Sequence, residues 1–359
     1  MKEDKNVSYK ETIMRRCLEL ASKGLGYVAP NPMVGAVLLY DGKIIGEGYH
    51  REFGKAHAEV NAINSVSEKS LLKKSTLFVN LEPCVHTCKK TPPCTDFIIE
   101  MGIPAVCIGI SDPNHMVAGK GIEKLKENGV HVEVGILENE CRNLNQRFFT
   151  FHELKRPYII LKWAQTKDGF IDINRKQGEP VGVNWISNAV SRDLVHKWRS
   201  EEQSVMVGTN TVLTDDPKLN VRHWKGKDPV RIILDQHLRI PPDRKIWDNS
   251  QETWIMNTKK NQIDNKTKYI KVNELRSSLK DLMLELYKRN ILSVIIEGGK
   301  ELLENLIDQN LWDEARVFIG DKIFLNGVKA PGIGFPPNER HSIADDSLLI
   351  FRNTREKKL

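Results

Sequence analysis

His57-Ala58-Glu59, then Pro83-Cys84, then Cys94 bring an imidazole, a carboxylate and two thiols into one short stretch of chain. One imidazole and two thiolates are a recurrent ligand set for a tetrahedral zinc whose fourth position holds water. His57 and Glu59 are two apart where a loop should enter a helix, so the imidazole can bind metal while the carboxylate leans toward that water. Zinc brings the acidity constant of such a water close to neutrality. A carboxylate within reach can then collect the proton and hand it to a leaving amine. A helix starting after Cys84 or Cys94 would add its positive end and favour thiolate over thiol. Each residue alone also has a plainer reading: a helix-start histidine, a solvated first-turn acid, two small buried hydrophobes. Of the six cysteines (Cys17, Cys84, Cys88, Cys94, Cys107, Cys141), three crowd between 84 and 94. The start, MKEDKNVSYKET, has no apolar stretch behind it and is no secretory signal, so the thiols should stay reduced. Crowding of that kind suggests metal more than disulfides, with Cys84 or Cys88 paired to Cys94 as the alternative.

The second half has no such cluster. Leu161 to Gly169 (LKWAQTKDG) is a strand running into an Asp-Gly turn, and Trp185-Ile186-Ser187 precedes a helix that Ser187 could cap. Val207 to Pro217 (VGTNTVLTDDP) follows, closed by Leu219 and Arg222. Ile296-Glu297-Gly298-Gly299 then joins a buried strand to a helix. Glycines at such a turn let backbone amides approach a phosphate, whose charge the helix end attracts. Taken alone, the turn is equally a packing device. There is no G-x-G-x-x-G and no Walker lysine, which speaks against an ordinary dinucleotide fold or an NTPase.

These residues need a frame, and the hydrophobic periodicity supplies one. In the first half, helical patterns at 11–25, 56–65, 96–101 and 121–128 alternate with strands at 34–40, 43–49, 76–81, 105–110 and 130–137. Asp41-Gly42 marks a hairpin. RFFTFHELKRP, residues 147–157, has no clear period and is read as the boundary, giving domains 1–150 and 151–359. Beyond it, strands at 158–163, 204–208, 230–235, 253–257, 292–297 and 314–319 alternate with helices at 187–198, 279–289 and 301–309. No repeat links the halves, so two different α/β domains are expected. The lysine-rich stretch 259–271 reads as a solvated loop and surface strand. Among 359 residues, 54 Lys+Arg against 47 Asp+Glu leave a net charge of +7, too diffuse to tell phosphorylated small molecules from nucleic acid. No apolar run approaches the ~20 residues of a membrane-spanning helix, and the default location is the cytoplasm.

The order H-x-E, P-C, Cys matches the zinc deaminase signature. The loop LEPCVHTCKKTPPC (81–94), with PNPMVG (30–35) and GEGYH (46–50) upstream, resembles the bifunctional riboflavin-biosynthesis deaminase/reductase family. DPN (112–114) and VAGKG (117–121) fit the same deaminase half. The loop departs from that family by one extra residue between the two cysteines, and Cys88 occupies a stretch in which the family has a glycine. Cys88 forms a C-x-x-x-C with Cys84 and remains open as a third ligand in place of Cys94. His50 and His86 are second choices.

The resemblance implies a cytidine-deaminase-like α/β/α domain followed by a dihydrofolate-reductase-like α/β domain. It implies zinc on His57, Cys84 and Cys94 with Glu59 as proton shuttle, and Asn31 and the Lys90–Thr91 loop bordering the substrate. In the second half it implies an NADPH site at Ala164, Trp185, Thr211, Asp215 and the turn Gly299, Lys300, Glu301, Leu302, Leu303, Glu304 and Asn305. Gln236 stands where the family has a small hydroxyl residue. Val183, Arg199, Leu219, Arg222 and Glu297 would face the ribose phosphate of a small pyrimidine, with guanidinium groups suited to phosphate; either arginine could equally be a surface ion-pair partner. A homo-oligomer is expected, with no nucleic-acid or membrane partner. Two rivals stand beside this reading: a nucleic-acid base deaminase with an accessory domain, and a structural zinc module with Cys88 as fourth ligand.

Overall fold

The chain folds as two units, Met1–Leu154 and Lys155–Leu359. The structure is a computed structural model that describes residues 2–85, 93–114, 117–175, 182–273 and 279–354, with side chains from Tyr9 onward. His86, Cys88, Lys90 and Thr91 lie outside the described residues.

In the first unit, α1 (Lys2–Ser22) precedes the hairpin β1 (Gly35–Tyr40) and β2 (Lys43–Tyr49). Asp41 and Gly42 take φ of 48° and 69°, the paired left-handed conformation that a tight right-twisted hairpin demands. Then come α2 (Ala58–Ser65), β3 (Thr76–Leu81), α3 (Cys94–Glu100), β4 (Ala105–Ile110), α4 (Lys120–Glu127), β5 (His131–Val134), α5 (Glu138–Leu144) and α6 (Gln146–Leu154). The sheet order is β2-β1-β3-β4-β5. β1 is antiparallel to both neighbours, whereas β3, β4 and β5 run parallel. β3 and β4 are buried almost throughout, which is why β4 reads as an unbroken apolar run and β3 as one interrupted only by Asn80 after its first residue. Ala58, Ala62 and Ile63 of α2, Ile98 of α3 and Leu125 of α4 form one core with Leu38, Val79 and Ile108 of the sheet. α2 can press on β2 only because a side chain is missing there: a Cβ on Gly48 would sit 2.3 Å from Ala62 N and 2.6 Å from Ala58 O.

The second unit contains β6 (Tyr158–Gln165), β7 (Phe170–Asp172), α7 (Ala189–Glu201), β8 (Ser204–Gly208), α8 (Thr209–Asp215), β9 (Val230–Leu234) and β10 (Thr253–Asn257). It continues with β11 (Gln262–Asp264), β12 (Thr267–Lys271), α9 (Leu279–Lys288), β13 (Ser293–Ile296), α10 (Lys300–Asp308) and β14 (Glu314–Ile319). It ends with β15 (Val328–Lys329), β16 (Glu339–Ile343) and β17 (Asp346–Arg352). Its large sheet runs β11-β12-β10-β9-β8-β13-β6-β14-β17-β16, while β7 and β15 pair separately. The seven strands from β12 to β14 are parallel, so the cleft-forming ends of β6, β8, β9 and β13 all point one way. At the start of β6, Arg156 makes a buried bidentate pair with Asp313, whose carboxylate also accepts from Ile159 N at 2.8 Å.

Several details differ from the periodicity. Residues 147–154 are not a linker but most of α6, where Phe148, Phe149 and Phe151 are all buried and so hide the helical stripe. Asn188, not Ser187, caps α7: its side chain accepts from Ser191 N at 2.9 Å and donates to Ile343 O. Of the lysine-rich stretch, β11 is exposed, but β12 lies inside the sheet against β10 with Ile270 buried. No described helix is long and apolar enough to cross a membrane. Gly48→Ala should destabilise the first unit by about 1–3 kcal/mol, the usual cost of overpacking against rigid backbone. A lowered urea midpoint for that unit is the expected result.

Candidate functional site

Three elements converge at the carboxyl end of β3. His57 is the N-cap residue of α2, extended (φ −73°, ψ 169°) and without a side-chain capping bond. Cys84 leaves the end of β3 after Glu82-Pro83, and Cys94 opens α3. His57 Nδ1 is 3.2 Å from Cys94 Sγ and 3.5 Å from Cys84 Sγ, and the three donor atoms lie within 4.8 Å of one another. A tetrahedral zinc with bonds of about 2.3 Å to sulfur and about 2.0 Å to nitrogen separates those atoms by about 3.6 Å. The residues therefore fit such an ion. Cys84 and Cys94 are free thiols, not a disulfide.

Electrostatics point the same way. Cys84 is held down at about 4, first by the Cys94 side chain that hydrogen-bonds it and then by His57, against the penalty of burial. Cys94 is pushed far up by the same contact with Cys84, then by burial and by Glu59. Two sulfurs this close cannot both carry charge unless a cation sits among them. Cys94 N also donates to Cys84 Sγ at 3.5 Å, and Thr95 ties Cys84 O through its backbone N at 3.3 Å and its Oγ1 at 3.2 Å. Glu59, in the first turn of α2, is 3% exposed, and burial raises it above the ordinary carboxylate range. Asn31 Nδ2 is 3.0 Å from His50 Nε2, and His50 Nδ1 is 3.1 Å from Ala56 O. Because a carbonyl only accepts, Nδ1 carries the proton and Nε2 receives the Asn31 amide, so the Asn31 Oδ1 turns away from His50.

The second unit holds a cleft of about 860 Å³ at the carboxyl ends of its parallel strands. Ala164, Thr211, Asp215, Glu297 and all of Gly299, Lys300, Glu301, Leu302, Leu303, Glu304 and Asn305 line it, as does Gln236. Gly298 has φ +154°, and a Cβ there would sit 3.1 Å from Thr211 Oγ1. Gly299 caps α10 with no side chain over the first turn, leaving backbone amides toward the cleft. That glycine cradle and helix end fit a nucleotide phosphate. Asp215 is pushed up to about 6, mainly by burial and then by Asp172.

Arg199 reaches Glu297 with two bonds of 2.6 Å. Burial would raise Glu297, but the Arg199 charge and its bonds, helped by Lys162 and His196, hold it at about 2. Arg222 lies beside this pair, its guanidinium disfavoured by partial burial and then by the Arg199 charge. Arg199, Leu219 and Arg222 are not in the cleft wall, and Leu219 is buried. Val183 and Trp185 are exposed and also outside the wall; the Arg192 guanidinium lies 4.8 Å from the Trp185 ring centroid. Lys162 was not foreseen. Burial lowers it while Glu297 pulls it up, and the available signal was a single charge in the apolar strand YIILKWAQ. His196, lowered to about 4 by burial and then by Arg199, was likewise missed.

Comparison with known proteins gives these sites a family. The cytidine and deoxycytidylate deaminase zinc-binding region matches residues 7–110, and the RibD C-terminal domain matches 157–330. The riboflavin biosynthesis protein RibD of Aquifex aeolicus is 42% identical over 354 residues, covering 94% of this chain and 97% of that protein. The Escherichia coli protein of that name is 33% identical, covering 96% of each. Among solved structures, a diaminohydroxyphosphoribosylaminopyrimidine deaminase/5-amino-6-(5-phosphoribosylamino)uracil reductase from Thermotoga maritima is 36% identical with a TM-score of 0.85, covering 97% of this chain and 99% of its own. Acinetobacter baumannii RibD is 30% identical, also at 0.85, with 97% and 100% covered. With a cytidine-deaminase-like domain ahead of a RibD C-terminal domain, the chain belongs to the RibD family of bifunctional deaminase/reductase proteins of riboflavin biosynthesis.

Proposed function

We propose that the first unit deaminates 2,5-diamino-6-ribosylamino-4(3H)-pyrimidinone 5′-phosphate and that the second reduces the ribosyl group of the product. The observation that carries this is the convergence of His57, Cys84 and Cys94 within 4.8 Å beside a buried Glu59. His57, Cys84 and Cys94 would hold the zinc, which supplies Lewis acidity toward water. Glu59 takes the proton of the attacking water and returns it to the leaving amine, so that water is consumed and ammonia departs. A carboxylate raised by burial suits both halves of that task, since it binds a proton readily and releases it again. Asn31, oriented by His50, offers its carbonyl oxygen to an N–H of the pyrimidine.

In the second unit, residues 299–305 and Thr211 would receive the phosphates of NADPH, with Ala164 and Asp215 along the same wall and Trp185 and Val183 at the rim. NADPH supplies the hydride. Lys162, Arg199 and Arg222 carry three positive charges against the single carboxylate of Glu297. A phosphate monoester brings about −1.5 to −2 at neutral pH and would redress that surplus. Leu219 is buried in the apolar cluster of Val205, Val207 and Val212. As part of the same reading, the chain works in the cytoplasm as a homo-oligomer on small phosphorylated pyrimidines.

Glu59→Gln should keep about one zinc per chain and lower ammonia release by about 10²–10⁴, the usual contribution of a general acid–base group. Elemental analysis beside an ammonia assay checks this, and near-normal release would assign the proton transfer elsewhere. Arg222→Ala should weaken reduction by roughly 1.5–3 kcal/mol in kcat/KM through loss of a charged hydrogen bond, with ammonia release unchanged. If both half-reactions fell together in that folded variant, the separation of the two sites would be wrong.

A further inference from the structure

One buried carboxylate next to the metal ligands has no part in the chemistry above. Glu82, 3% exposed, is the residue after β3, and its N–H continues the sheet by donating to Ile110 O at 3.0 Å. Its side chain accepts four backbone N–H groups. Oε2 takes those of Asp112 at 3.1 Å and Gly119 at 3.0 Å, and Oε1 those of Gly121 at 2.9 Å and Ile122 at 3.3 Å. Three of the four donors belong to the N-terminus of α4. That helix begins at Gly119, which is left-handed at φ 79° and has no side chain with which to cap it. Glu82 supplies the cap from another element, with charge-assisted bonds that favour the helix's positive end. The fit is close on the donor side as well. A Cβ on Gly121 would sit 2.4 Å from Pro83 O and 3.0 Å from Glu82 Oε1.

We propose that Glu82 is a positioning residue for the metal: by gripping α4 and the Asp112 turn, its carboxylate fixes the strand end from which Cys84 projects. Between Glu82 and the Cys84 sulfur lies only Pro83, whose ring restricts φ, so little play separates the anchored residue from the ligand. Cys84 O is then pinned by Thr95, next to the second sulfur ligand. Glu82→Gln would present an NH2 group to two N–H donors, leaving buried donors unpaired and the strand end loose.

This rests on the metal reading above, and the test separates the two. Full-length protein, freed of metal, is titrated with cobalt(II) while the thiolate-to-cobalt absorption is followed, and thermal unfolding is recorded in parallel. Leu125→Ala, a fully buried truncation in α4 that touches no ligand, serves as a destabilised control. Glu82→Gln should lose about 10–100-fold in cobalt affinity, as outer-shell partners of metal ligands usually do, while Leu125→Ala stays within about threefold of wild type. Wild-type affinity in Glu82→Gln, or an equal loss in Leu125→Ala, would overturn the assignment. Should the glutamine variant not fold, Glu82→Asp, which keeps the charge but shortens the reach, and Gly121→Ala, which presses on Pro83, carry the same expectation and the same refutation. If wild type itself takes up neither cobalt nor zinc, the metal reading fails instead.

Discussion

Two sulfurs and an imidazole nitrogen within 4.8 Å of one another cannot all adopt their ligand protonation states in the absence of a cation. That constraint organises the first unit. Their mutual contact lowers the Cys84 thiol and raises that of Cys94, and His57 lies within reach of both sulfurs. A divalent ion relieves the conflict, so its binding energy becomes part of what holds the ends of β3, α2 and α3 together. The fold supplies the opposing rigidity: parallel strands buried on both faces, a β2 glycine that lets α2 close on the sheet, and the first N–H of α3 donating to the Cys84 sulfur. Glu59 inherits its raised proton affinity from the same burial, so the feature that makes the ligand set tight also prepares the proton carrier.

The second unit meets the opposite imbalance. Among the described residues, Glu297 feels the charges of Arg199, Lys162 and Arg222, and Arg199 pairs with it through two bonds. A buried pair of this kind contributes little net stability by itself, because desolvation consumes most of the Coulomb attraction. Its value is geometric. It keeps Glu297 ionised in the wall of a cleft that also takes in a glycine turn and the start of α10. Oppositely charged ligand groups can then be bound without moving the scaffold, which is what hydride transfer chiefly requires of a protein.

How much of this was legible in the sequence depended on how local each signal was. The His57, Glu59, Cys84 and Cys94 set was readable because spacing alone restricts which elements can carry it, and Asp41-Gly42 announced its turn in two residues. The Gly298-Gly299 turn was readable in form, and only the fold shows that Thr211 lies where a side chain would collide with it. α6 was not readable, since three buried phenylalanines erase the polar side of its period. Val183 and Trp185 were expected at a binding site yet stand exposed outside the cleft wall. Lys162 was visible as a lone charge in an apolar strand, but its partners Glu297 and Arg199 are more than thirty residues away in sequence, and only the sheet order brings them together. Glu82 was quoted within the loop motif without a role, because its four donors come from a loop and helix that begin thirty residues later.

The measurement that bears most directly on this account is a paired assay of the full-length, zinc-loaded chain with the diaminopyrimidine ribosylamino phosphate, run with and without NADPH. The account predicts ammonia release in both samples, and loss of nicotinamide absorbance in the second that follows ammonia release in time. Nicotinamide oxidation without ammonia, or no ammonia from a chain that has taken up its zinc, would contradict it.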